Sequence, residues 1–276
     1  APRALPPVPT GRSTDPHRRL PPPARRYTER VTSAALGRGG QVRWLEHSHE
    51  EHPVALQLGG SDPVELAQAA ILGARAGYDE INLNVGCPSD RVQSGKFGAC
   101  LMREPVLVGD CVRAMAEVVD VPVTVKCRIG VDDQDEYADL QRFTETMVAA
   151  GVDILVVHAR KAWLEGLSPK ENREIPPLDY ERVYRLKREF PQLTIVINGG
   201  ITTVEAVREH LAQVDGVMLG RAAYHDPFVL ARIEADLWGT PVPERADVLE
   251  RMRIYIEAEL ARGTQLKHIT RHILGL

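Results

Sequence analysis

From Tyr27 onward, short apolar runs alternate with longer stretches of helical periodicity. The runs predict strands at Tyr27–Thr32, Val54–Leu58, Glu80–Asn84, Val123–Cys127, Ile154–His158, Thr194–Asn198 and Gly216–Leu219. Most are near-continuous in Val, Ile and Leu, as parallel strands covered on both faces require. Between them, Ser61 or Asp62 caps a helix that runs to Ala76-Gly77, and further helices are predicted at Glu104–Val119, Glu136–Ala150, Tyr180–Glu189 and Thr203–Leu211. Gly151 follows the third of these, as a C-terminal glycine should. Beyond Trp238-Gly-Thr-Pro241, the residues Val248, Met252, Tyr255, Ile256 and Leu260 recur at helical spacing up to Gly263, and another helix opens near Thr264. Repeated βα units allow an open doubly wound sheet or a closed barrel. No GxGxxG follows the first strand, which counts against a dinucleotide-binding open sheet. The expected class is α/β: a TIM (β/α)8 barrel followed by the start of a C-terminal all-helical domain.

Residues 1–26 break the pattern. They hold Pro2, Pro6, Pro7, Pro9, Pro16 and Pro21-Pro22-Pro23, six Arg and a single acid, Asp15, with no period of 2 or 3.6. They read as an irregular Pro/Arg-rich leader. The expected division is leader 1–26, barrel 27–240 and helical segment 241–276. A length of 276 residues with 43% hydrophobic content suits one barrel-sized domain with an appendage. A net charge of -4 does not advertise a nucleic-acid partner, which would need a local basic patch. No secretory signal and no run long enough to span a bilayer is present, so no membrane association is expected. Cys87, Cys100, Cys111 and Cys127 include no CxxC pair, so no metal site is expected, and free thiols point to the cytoplasm.

Polar and Gly-rich residues gather just past the strand ends. They are Gln57-Leu-Gly-Gly60, Asn84-Val-Gly-Cys87, Lys126-Cys-Arg128, His158-Ala-Arg160, Asn198-Gly-Gly200 and Gly220-Arg221. In a barrel these ends meet at one face, where barrel active sites lie. Cys87 sits at a strand end on a turn stiffened by Pro88. That suits a reactive thiol presented to a ligand, and it also suits a buried structural cysteine. Asn198-Gly-Gly200 and Gly220-Arg221 suit a phosphate site after the last two strands. Lys126 and Arg128 share a face two residues apart, and a Lys inside an apolar strand needs an anionic or electron-rich partner. A flavin ring is one such partner, with His158 and Gln57 available to hydrogen-bond to it. His158 alone also reads as a satisfied core histidine. An unperturbed thiol is protonated at pH 7 and can give a proton, provided nothing cationic lies close by.

Taken together, these motifs resemble the tRNA-dihydrouridine synthases. The resemblance covers residues 27–276. It rests on Glu80–Asp90, Gly98-Ala-Cys100-Leu, Val123–Gly130, Val157-His-Ala-Arg160, Ser168–Leu178, Asn198-Gly-Gly200 and Asp215–Arg221, and Ser168–Leu178 is similar to the bacterial A-type subfamily. The resemblance implies an FMN-binding barrel with a helical tRNA-binding domain. The implied activity is NADPH-dependent reduction of D-loop uridine, at positions 20 and 20a, to 5,6-dihydrouridine. It makes Cys87 the proton donor to uracil C5, opposite hydride delivery to C6. Gln57, Lys126, His158, Asn198, Gly199, Gly200, Gly220 and Arg221 match the family's FMN contacts. Asn84, Lys170, Asn172 and Arg173 would face the RNA. Lys161, Lys170, Arg173, Lys267 and Arg271 would form the basic patch, and a monomer is expected.

The leader departs from the family pattern. The family opens on a strand ending in Pro-Met and a Thr-Asp-Arg stretch. Here Ala4–Asp15 matches only in Thr14-Asp15 and scattered Arg. Proline cannot donate in a sheet, so a degraded first strand is expected. Out-of-frame translation of a GC-rich gene is one account of residues 1–26, and a diverged leader is the other. The last helix reads as incomplete at Leu276, which implies a truncated helical domain. Two alternatives stay open: a flavin reductase acting on a small pyrimidine, and an inactive tRNA-binding protein.

Overall fold

The computed structural model describes residues 24–37, 42–47, 49–89 and 97–270. Its parallel sheet comprises β1 (Arg26–Tyr27), β2 (Val31–Thr32), β3 (Val54–Gly59), β4 (Glu80–Asn84), β5 (Val123–Arg128), β6 (Ile154–His158), β7 (Thr194–Asn198) and β8 (Gly216–Met218). Strands β3 to β8 follow one another in chain order, and β1 and β2 both pair with β3. Arg26 and Tyr27 stand opposite Val54 and Ala55, while Val31 and Thr32 stand opposite Leu58 and Gly59. The expected strand Tyr27–Thr32 is therefore one strand position in two pieces. Thr28 lies in the break, and its hydroxyl, not a carbonyl, accepts from the Gln57 N–H at 2.9 Å.

The helices are α1 (Ser33–Gly37), α2 (Pro63–Arg75), α3 (Pro105–Ala116), α4 (Tyr137–Ala149), α5 (Tyr180–Glu189), α6 (Val204–Leu211), α7 (Arg221–His225), α8 (Phe228–Trp238), α9 (Arg245–Ala261) and α10 (Leu266–Thr270). Of the two residues offered as cap for α2, Asp62 takes the role, accepting from the Val64 and Glu65 N–H groups at 2.9 Å each. Thr203 caps α6 in the same way. α8 is absent from the sequence-based set. It packs Phe228 against Val248 and Met252 of α9, and Arg245 stands 4.8 Å from the Phe228 ring centre.

Side chains alternate along each strand, so one set points to the helices and the other into the sheet's concave side. The outward set, including Leu56, Leu58, Ile81, Leu83, Val125 and Cys127, forms the main core against the helices. On the inside, Tyr27 of β1 and Met218 of β8 share one buried cluster with Ala55, Val156 and Val196. The two ends of the described sheet thus face each other across a common interior. With parallel strands in chain order and helices outside, this is a TIM-barrel-type α/β fold. The expectation of a degraded first strand falls on Ala4–Asp15, outside the described residues, while Arg26, the last residue of the expected leader 1–26, lies in β1 opposite Val54. No described helix is long and apolar enough to cross a membrane.

Candidate active site

A cavity of about 710 Å³ opens at the C-terminal ends of the strands. Its wall includes Gln57, Asn84, Cys87, Lys126, His158, Arg173, Asn198, Gly199, Gly200, Gly220 and Arg221. Each comes from an inward position near the C-terminal end of a strand or from the turn or rim loop beyond it, which is why the fold brings them together.

The Cys87 turn is tied down on several sides. Val85 N–H donates to the Lys126 carbonyl at 2.8 Å, Gly86 N–H to Asn84 Oδ1 at 3.0 Å, and Ala99 N–H to the Cys87 carbonyl at 2.9 Å. The half-buried thiol donates to Ser89 Oγ at 3.5 Å. Burial raises its pKa, but hydrogen bonding with Ser89 and the Arg30 guanidinium close by outweigh burial, so the thiol is more acidic than an ordinary one. The premise that no cation lies near Cys87 is thus corrected. Arg30 stands 5.5 Å from the Phe97 ring centre, folded over that ring beside the thiol.

Two cations on β5 have different tasks. Arg128 is buried and fully employed. Its Nε donates to the Gly86 carbonyl at 2.9 Å, and an Nη to the Lys161 and Asn172 carbonyls at 3.1 and 2.9 Å. Lys126 has no hydrogen bond or ion pair among the described residues, and burial, with Arg128 nearby, pushes its amine down to about 8. His158 is also buried, and burial together with the Arg128 and Lys126 charges holds its pKa well below the usual imidazole range. It is neutral at pH 7 and can accept a hydrogen bond.

The opposite wall is built from glycine. Gly199 and Gly200 adopt φ values of 120° and 69°. A Cβ on Gly199 would stand 2.7 Å from His158 Cδ2, and one on Gly200 2.6 Å from Leu178 Cδ1. Conformation and space therefore both demand glycine here. A Cβ on Gly220 would meet no atom within 4 Å, so this residue leaves open space at the cavity wall. Tyr180 donates to the Gly199 carbonyl at 2.8 Å, and Asn198 Nδ2 to the Met218 carbonyl at 2.7 Å. Arg221 reaches Glu174 Oε1 at 2.6 Å, so an anion in the cavity would compete with that carboxylate.

Two expected positions stand apart from the cavity wall. Lys170 is exposed on the rim loop. Asn172 does not face outward: it is 0% exposed, and its side chain braces the loop from within. Its Oδ1 accepts from Trp163 N–H at 2.8 Å, while its Nδ2 donates to the Trp163 and Leu167 carbonyls at 2.9 and 3.1 Å. Its polar character serves the loop's own main chain, which corrects its reading as an RNA contact. In the expected basic patch, Lys161 is engaged with Asp135 at 2.8 Å and lies 4.2 Å from the Trp163 ring centre. Arg173 and Lys267 are exposed, and Arg271 lies outside the described residues. Arg30 and Ser89 were not singled out in the sequence. Ser89 stands two residues after Cys87, close enough in the chain to have suggested a partner.

A family model described as dihydrouridine synthase matches residues 17–276. The chain belongs to the dihydrouridine synthase family. The match begins within the Pro/Arg-rich segment. Among relatives, the chain is 60% identical over 260 residues to the tRNA-dihydrouridine(20/20a) synthase of Xanthomonas campestris, covering 94% of this chain and 78% of the relative. To the proteins of the same name from Shewanella oneidensis and Vibrio cholerae it is 60% and 57% identical, covering 91% and 94% of this chain and 75% and 80% of the relatives. Among solved structures, a 2-naphthoyl-CoA reductase complex superposes with a TM-score of 0.56 at 12% identity, over 78% of this chain and 44% of that one. At that identity the likeness speaks for the fold alone.

Proposed function

We propose that this family member is a flavin-dependent oxidoreductase that binds FMN, draws electrons from NADPH and reduces uridine in the tRNA D-loop, at positions 20 and 20a, to 5,6-dihydrouridine. The observation that carries the reading is the convergence of the thiol, the unpartnered Lys126 amine, neutral His158 and the Gly199-Gly200 turn on one cavity. The residues fit a flavin mononucleotide. Lys126 is a cation in want of an electron-rich partner. Gln57 and His158 offer hydrogen bonds to a ring. Asn198 and the side-chain-free Gly199, Gly200 and Gly220 offer main chain and an amide, and Arg221 a charge, for a phosphate. When bound, FMN supplies the hydride that adds to C6 of uracil.

The rest of the chemistry belongs to the chain. Cys87 delivers a proton to C5, and the thiolate left behind is held by the Ser89 hydroxyl and the Arg30 guanidinium. Asn84 stands beside the thiol at the cavity wall and faces the base. Lys170 and Arg173 on the exposed rim meet the RNA backbone. A D-loop uridine must leave its stack to reach the cavity, a cost that contacts at the rim offset.

The test is to purify the protein, read its flavin absorbance, and follow dihydrouridine formation in tRNA lacking the modification. Expected are bound FMN, NADPH-driven turnover on tRNA and none on free uracil. Cys87→Ala should retain FMN and lose at least about 100-fold in rate, as removal of a general acid does. Turnover of free uracil but not tRNA would move the activity to a small pyrimidine. A protein that binds tRNA without flavin would be an RNA-binding module and not an enzyme.

A further inference from the structure

A continuous chain of hydrogen bonds runs through the barrel interior from the foot of β4 to the cavity. Arg25 donates to the Glu80 carboxylate. Thr124 Oγ1 donates to Glu80 Oε1 at 2.6 Å, and Asn82 Nδ2 to Thr124 Oγ1 at 2.8 Å. Gln57 Nε2 donates to Asn82 Oδ1 at 3.0 Å, and Asn84 Nδ2 to Gln57 Oε1 at 2.7 Å. Asn84 Oδ1 then accepts from Gly86 N–H at 3.0 Å, one residue before Cys87. Sheet register builds the chain: Gln57 stands opposite Asn82, and Asn82 opposite Thr124. Glu80, Asn82 and Thr124 are each 0% exposed.

The direction of every bond is forced. A carboxylate paired with a guanidinium only accepts, so the single Thr124 proton goes to Glu80. The Thr124 oxygen must then accept from the Asn82 amide nitrogen. That turns the Asn82 oxygen toward Gln57 and the Gln57 oxygen toward Asn84. From the other end, the Gly86 main-chain N–H can only donate, which demands the Asn84 oxygen. The two ends impose the same sense. Turning any one amide over would set donor against donor or acceptor against acceptor, at a chain whose Glu80–Thr124–Asn82 end is fully buried. Each NH2 group has two protons, and the chain uses one, so Gln57 and Asn84 each retain one N–H at the cavity wall.

We propose that Glu80, Thr124 and Asn82 are positioning residues that fix Gln57 and Asn84 as donors, and so select ring edges that present carbonyl oxygens or unprotonated nitrogens. The proposal deepens the flavin and uridine reading and rests on it for the identity of the rings. Thr124→Val keeps the shape of the side chain and removes the link, while Thr124→Ser restores the hydroxyl. In the ligand-free protein, the side-chain NH2 signals of Gln57 and Asn84 in a nitrogen-15 correlation spectrum should shift or broaden in Thr124→Val and return in Thr124→Ser. FMN affinity, read by quenching of flavin fluorescence, should fall about tenfold in Thr124→Val and stay within about twofold in Thr124→Ser, the scale of one net hydrogen bond. In turnover, KM for tRNA should rise more than kcat falls. A Thr124→Val protein with wild-type amide signals and wild-type FMN affinity overturns the proposal. So does loss of thermal midpoint alone, without change at the two amides. If the wild-type protein takes no FMN, the flavin reading fails, and the amide spectra still decide the positioning claim. Should Thr124→Val not fold, Glu80→Gln removes the acceptor-only constraint at nearly constant shape and is read by the same signals.

Discussion

Inside the barrel, β3 to β5 turn Gln57, Glu80, Asn82 and Thr124 inward, while the facing wall of β1 and β6 to β8 offers Tyr27, Ile154, Val156, Val196 and Met218. One wall is organised by bond direction, the other by volume. An apolar wall accepts any filling of about the right size, with losses that grade with the space left behind. A wall of directed bonds has few compromises, since a single missing partner leaves a buried polar group unmet. The directed wall leads to the thiol, where atoms must be placed. The apolar wall backs the glycine turn, where Gly199 and Gly200 pack too close to His158 and Leu178 to carry a side chain.

The most severe way to break this contrast is Glu80→Leu. It strands the Arg25 guanidinium and the Thr124 hydroxyl in the interior and should cost about 3–5 kcal/mol in urea unfolding. Met218→Ala on the apolar wall should cost about 2–5 kcal/mol, set by how far the site collapses, and should leave the Gln57 and Asn84 amides unmoved. Equal disturbance of those amides by both variants would erase the distinction between the walls.

Lys126→Met should act with the opposite sign. The folded-state amine titrates near 8, below its ordinary 10.5, so the folded protein holds this proton less tightly than the unfolded chain. Stability from this group therefore rises with pH between about 8 and 10.5 and is at its lowest below 8. The variant should gain on the order of 1 kcal/mol at pH 7 without ligand, lose that pH dependence, and bind FMN more weakly. A destabilised Lys126→Met protein at pH 7 would mean that the amine is already satisfied.

The mildest effect sharpens the end of the polar wall. Cys87 should be alkylated first in the native protein, since its thiol lies below the ordinary range, while burial pushes Cys111 and Cys127 up to about 12. A raised thiolate fraction extends reaction to lower pH. Arg30→Met should slow labelling of Cys87 a few-fold, on the order of the few tenths to 1 kcal/mol that a partly exposed charge contributes. Mass spectrometry of the labelled peptides reads both. Labelling of Cys127 at a matching rate would contradict the assigned environments.

The strands were legible because parallel strands covered on both faces must be apolar on both, and Ile154–His158 and Thr194–Asn198 match the sequence reading residue for residue. The cavity was legible because each strand end carries its own polar mark. The directed chain was half visible. Glu80, Asn82 and Asn84 alternate with Ile81 and Leu83, a period of two that marks an inward polar face. What the pattern cannot carry is the partner, since Thr124 reads as an ordinary strand residue until register sets it beside Asn82. Asn172 was misread for a related reason. A polar residue in a polar loop suggests solvent, and only the folded loop reveals carbonyls turned toward it. Helix α8 escaped because Phe228–Trp238 is apolar on several sides, without the stripe that marks a surface helix.

Arg128 gives the molecule a shared hinge-pin. One guanidinium fastens the Gly86 carbonyl beside the thiol and the Lys161 and Asn172 carbonyls of the rim loop, segments far apart in the chain. Opening either one fully means releasing the same group. Deuterium uptake in the peptide around Gly86 and in the loop from Lys161 to Arg173 should therefore share one rate and one temperature dependence, the signature of a single cooperative unit and not of two loosely fraying loops.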